Sequence, residues 1–137
     1  MPPATPILLS AVIIGLLGSM HLLMTFVGPK LLPRDRDVHN AMQSAHPVIT
    51  TQTTMWRAWI GFNASHSMGA LLFALVYGYF ALVEPQVLFQ SPALQFIGLT
   101  MLLGYMALAI AYWFITPRLG IAVALLSYVL GLVLSWS

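Results

Sequence analysis

Residues 6–27, PILLSAVIIGLLGSMHLLMTFV, decide the fold. They contain no Asp, Glu, Lys or Arg, and His21 is their one histidine. A helix needs about 20 predominantly apolar residues to cross a hydrocarbon core roughly 30 Å thick, and this stretch has that length. It is too long for the apolar region of a cleavable signal, and residues 1–5 carry no Lys or Arg. A retained span is therefore expected, not a removed leader.

Three more stretches read the same way: 55–83 (MWRAWIGFNASHSMGALLFALVYGYFALV), 92–115 and 118–136. Thr5-Pro6, Ser91-Pro92 and Thr116-Pro117 each set a hydroxyl before a proline, and Thr53 or Thr54 precedes the second stretch. Such a hydroxyl can accept from an orphan N–H of the first turn, and proline at the first helical position forfeits no bond. No alternating barrel pattern occurs. The expected fold is all-α, one domain over 1–137, an antiparallel bundle of four transmembrane helices with residues 28–54 as its one sizeable connection.

Composition agrees. The chain is 60% hydrophobic and 6% charged, with a mean hydropathy of +0.91. A soluble domain has about 25% charged residues, so the polar surface here is too small to coat a water-soluble globule. With no cysteine, disulfides, thiolate metal sites and Cys nucleophiles are excluded. The formal charge of +2 comes with no basic run and no Gly-rich phosphate loop. The lipid bilayer is the expected partner and nucleic acid is not.

Lys30, Arg34, Arg36 and Arg57 cluster around the first connection, and Arg118 sits between spans three and four. Both places lie on one side of the membrane, and the other side has no Lys or Arg. The positive-inside rule puts the basic side in the cytoplasm. A bacterial inner-membrane protein with both termini periplasmic is the expectation.

Small residues recur at helical spacing: Gly61, Ser65 and Gly69; Ala11, Gly15 and Gly18; Gly120, Ala124, Ser127 and Gly131. They let helix backbones approach closely where hydrophobicity gives no drive to associate. Tyr105 and Tyr112, seven apart, point into the bundle on this reading. Trp56, Trp59, Tyr79, Phe80 and Trp136 read as interfacial anchors. In the connection, Asp35 or Asp37 can cap a short helix reaching about Ala45, before Pro47. It has an apolar side (Val38, Met42, Ala45) suited to the interface. His39 and His46 stand two turns apart but lack a third ligand, so no metal site is expected.

The polar residues inside the spans carry the functional signal. At about 100° per residue, Trp56, Trp59, Asn63, His66, Ala70, Phe73 and Tyr77 share one stripe of the second span. Ser10, Ile14, Leu17, His21 and Thr25 share one of the first. With a rise of about 1.5 Å per residue, His21, Asn63 and His66 reach depths within one turn of each other. Polar groups so deep are costly unless paired, and an ionisable one is a functional hypothesis.

Three roles are open beside plain interhelical hydrogen bonding. The cluster can anchor the head of a lipid or quinone-like ligand through His21, Thr25, Asn63 and His66, with Trp59, Phe73 and Tyr77 on its apolar body. His21 and His66 can be axial ligands of haem b in a redox protein. They can also serve as acid and base of an enzyme acting on a membrane-dissolved substrate, although no Asp or Glu lies in a span. A binding or accessory protein, alone or within a larger membrane complex, is the leading expectation.

The block TTMWRAWIGFNASHSMG (53–69), with HLLMTF and KLLPRDRDV upstream, resembles a group of small bacterial four-span inner-membrane proteins without an assigned activity. The resemblance covers most of the chain. It implies the membrane and the fold, and no catalytic residue, cofactor or substrate.

Overall fold

The computed structural model describes residues 1–136, and these form helices joined by turns with no strand among them. Four helices are long and apolar enough to cross a membrane: α1 (Ala4–Phe26), α3 (Met55–Leu82), α5 (Pro92–Tyr112) and α6 (Ile115–Ser135). Two short helices, α2 (Arg36–Ser44) and α4 (Pro85–Gln90), lie in the connections. The chain is thus an all-α, multi-pass membrane protein.

The helix starts divide the capping expectations. Ser91 accepts from the Leu94 N–H (3.3 Å), with Pro92 opening α5. Thr54 accepts from the Arg57 N–H (3.3 Å) at the start of α3. Thr5 and Thr116 instead lie inside α1 and α6, which begin at Ala4 and Ile115. In both, proline falls third in the helix. The N–H groups of the whole first turn lack intrahelical partners, so proline is tolerated at any of these places and does not mark the first residue. Gly28 follows the end of α1 at φ 84°, the left-handed conformation that stops a helix.

The chain forms two compact units, one of Met1–Leu17 with the chain from Ala70 on, the other of Gly18–Gly69. The larger unit is a bundle with segments of all four long helices. Antiparallel contacts fix its register. A Cβ at Gly15 would meet that of Ala74 at 3.1 Å, and Gly78 lies similarly against Ala11. Gly120 lies against Leu17, and Gly131 against Ile7 and the Pro3 carbonyl. Ile7, Ile14, Phe73, Leu102, Ala124 and Tyr128 form its centre, all at most 2% exposed.

Three of the polar side chains in this core are satisfied by backbone carbonyls, while the buried Ser10 hydroxyl has no hydrogen-bond partner among the described residues. Tyr77 Oη donates to the Leu94 carbonyl (2.7 Å) and Tyr128 Oη to that of Gln95 (3.2 Å). The Gln95 amide donates to Phe89 O (2.8 Å) and Leu88 O (3.4 Å), joining the end of α4 to α5. Without water in the hydrocarbon layer, such internal pairing is the available solution. Arg118 turns back onto the end of α5. Its guanidinium donates to the carbonyls of Ala109 (3.2 Å), Ile110 (3.3 Å) and Trp113 (2.9 Å). A cation there satisfies orphan carbonyls and complements the negative end of the helix dipole.

Two packing expectations are corrected. Tyr112 is 80% exposed, because it closes α5 at the rim of the bundle, where an amphipathic ring suits the membrane interface. A Cβ at Gly61 would meet nothing within 4 Å, and Ser65 is exposed. Their side of α3 faces away from the Asn63–His66 stripe that meets α1, so these small residues seat no helix in their unit.

Candidate functional site

The smaller unit contains the end of α1, the connection with α2, and the first half of α3. Asp35 caps α2, its carboxylate accepting from the Asp37 N–H at 2.8 Å. The loop after α2 closes on itself. The Met55 N–H donates to Ala45 O (2.9 Å) and His46 Nδ1 to Thr53 O (2.7 Å). His39 accepts from the Gln43 amide (3.3 Å) and meets Trp56 edge to face at 4.6 Å. The two histidines of this segment are thus committed to different partners.

Between α1 and α3, the polar side chains meet. His21 Nε2 lies 3.0 Å from Asn63 Oδ1. The His21 and His66 rings stand edge to face, with centroids 5.6 Å apart and planes at 88°. Asn63 is held from its own helix: its Nδ2 donates to Trp59 O at 2.8 Å, and its backbone carbonyl accepts from Ser67 Oγ at 3.0 Å. Thr25 is buried, and its hydroxyl donates to His21 O at 2.8 Å. The Trp59 indole N–H donates to Leu31 O (3.3 Å), tying the connection to α3.

These bonds settle a protonation pattern. A backbone carbonyl only accepts, so the Asn63 group facing Trp59 O is the amide nitrogen. Its carbonyl oxygen then faces His21, and His21 Nε2 must carry the proton. In the neutral ring the Nδ1 lone pair is left as an acceptor, and Nδ1 makes no hydrogen bond among the described residues. The arrangement can accept a proton or a hydroxyl hydrogen at Nδ1 beside a second imidazole.

The structure thus brings His21, Asn63 and His66 together, with Thr25 and Trp59 bonded to their backbones or through them. Phe73 and Tyr77 fall in the core of the larger unit, 2% and 3% exposed, against each other and Tyr128. Ser67, fully buried, escaped the sequence reading, although its place four residues after Asn63 is the signal for a serine bonding back to a carbonyl. Gln95 and Tyr128 escaped as well, because their partners are backbone carbonyls that no spacing announces.

Fold and site together define a four-span membrane protein with a histidine–asparagine cluster between two of its helices. Searches against protein-family models, curated proteins and solved structures found no match.

Proposed function

We propose that this chain is a small bacterial inner-membrane protein that binds an amphipathic molecule with a hydroxyl-bearing head, of the lipid or quinone-like class, at His21, Asn63 and His66. The observation that carries this reading is the fixed Asn63 amide. It commits His21 Nε2 as a donor and leaves Nδ1 as an acceptor for a ligand hydroxyl. Bilayer depth excludes competing water, so one such bond contributes to selectivity. Haem gains no support from this geometry. A haem between two histidines needs both rings aimed at one iron with the macrocycle filling the gap, whereas these rings touch edge to face and His21 Nε2 is spent on Asn63.

The positive-inside pattern supports a cytoplasmic position for the basic connection and periplasmic termini. Cysteines placed singly at residues 50 and 87 test it in intact cells. An impermeant thiol reagent should label position 87 and spare position 50, and the opposite pattern would reverse the orientation.

The binding reading is tested by solvent extraction of the detergent-purified protein with mass spectrometry. The wild type should yield one enriched hydroxyl-bearing lipid or quinol. Asn63→Leu and His21→Ala should lower its occupancy about tenfold, as loss of a buried hydrogen-bonding partner does, with helix content unchanged. Equal enrichment in all three proteins would contradict the assignment.

A further inference from the structure

We propose a second site, beyond that reading: the cleft where α1 ends seats the phosphate headgroup of an anionic phospholipid from the adjoining leaflet. Met24, Thr25, Leu31, Leu32, Trp56 and Ile60 line a cleft of ≈ 320 Å³. Ligand pockets span about 300–1,000 Å³, so this one fits a headgroup with the start of its chains, and not a whole lipid. Leu23 and Phe26, 60% and 65% exposed, continue an apolar surface along the end of α1 for the acyl chains.

Charge selects the occupant. Lys30 stands between the lining residues Gly28 and Leu31, and Arg57 follows the lining residue Trp56. Both are exposed, as are Arg34 and Arg36. Among the described residues, the side chains of these four cations make no hydrogen bond or ion pair. The connection's two carboxylates are Asp35 and Asp37, and Asp35 is engaged in capping α2. Exposed, unpaired cations next in sequence to the lining of a cleft with both polar and apolar walls match an anionic headgroup anchored by its chains. Trp56 is held there by His39, which gives the cleft an aromatic wall at the level of the headgroups.

The test reads tryptophan fluorescence of the full chain in phosphatidylcholine vesicles containing brominated phosphatidylglycerol or brominated phosphatidylcholine at equal mole fraction. The Trp56 component is isolated as the difference from Trp56→Phe. Brominated phosphatidylglycerol should quench Trp56 preferentially, and Lys30→Gln and Arg57→Gln should each reduce that preference about fivefold. Arg34→Gln and Arg36→Gln, which do not flank the lining, should reduce it far less. Inorganic phosphate should not displace the lipid, because the site needs the attached chains. Equal quenching by the two lipids would overturn the proposal. So would a preference shared evenly among the four cations, which marks diffuse surface attraction, or displacement by free phosphate. Asn63→Leu should leave the preference intact, so the failure of one site is distinguishable from failure of the other. Helix content by circular dichroism is checked for every variant.

Discussion

Gly98→Ala is expected to destabilise the protein by about 2–3 kcal/mol, the upper part of the range for overpacked cores. A Cβ there would lie 2.7 Å from the ring carbons Cζ of both Tyr77 and Tyr128, and closest to the Tyr128 hydroxyl. Neither ring is free to retreat. Tyr128 is fully buried and Tyr77 is 3% exposed, they contact each other edge to face at 5.5 Å, and each hydroxyl is bonded to a carbonyl of α5. Tyr128→Phe removes the nearest atom, so it should recover part of the loss in the double variant, a non-additivity expected only of groups in contact. Gly104→Ala is the control on the same helix: its Cβ position is open, and the change should be neutral or stabilising by up to about 1 kcal/mol. Reversible unfolding in mixed micelles measures all four. Equal effects at residues 98 and 104 would contradict the packing of α5.

Arg118→Met should cost about 2 kcal/mol, the scale of hydrogen bonds made by a charged donor. The substitution keeps the aliphatic stem but strips donors from the carbonyls of Ala109, Ile110 and Trp113. Arg118→Lys keeps the charge and loses the planar fork, so it should recover a minor share. Full recovery by lysine in the same unfolding assay would mean that the residue acts by charge alone and does not cap α5.

These two positions also show where sequence legibility ends. Hydropathy and length located α1, α3, α5 and α6 within a few residues, because the bilayer fixes how long an apolar helix must be. The same helices are apolar nearly all round, so periodicity says little about which face meets which neighbour. Gly98 therefore gives no warning of the two tyrosines beside it, and the spacing of Gly61 and Ser65 suggests a helix contact that these two residues do not make in their unit. Arg118 was legible as a charge on one side of the membrane. Its second use, as the cap of α5, depends on the tight turn at Trp113 and Phe114.

The candidate site was more legible than the packing. His21, Asn63 and His66 stand out because polar residues are scarce in the spans, and counting residues from a shared boundary gives their depth. That arithmetic extends along one stripe to Phe73 and Tyr77, where it loses force. A stripe names a face of α3 but not the partner that covers it, and at these two positions aromatic packing on Tyr128 occupies the rings. The orientation of the Asn63 amide lay beyond sequence reasoning, since it depends on the bond to Trp59 O.

That amide is also where the account is most directly tested. Nitrogen-15 NMR of histidine-labelled protein in lipid bilayers at alkaline pH, where imidazole is neutral, reads the tautomer of His21. In the neutral form of the ring the predicted spectrum has His21 with a protonated Nε2 and an unprotonated Nδ1, a through-space contact to the His66 ring, and a changed Nε2 signal in Asn63→Leu. A His21 that exchanges between tautomers as in water, shows no contact to His66 and ignores Asn63→Leu would contradict the shared site.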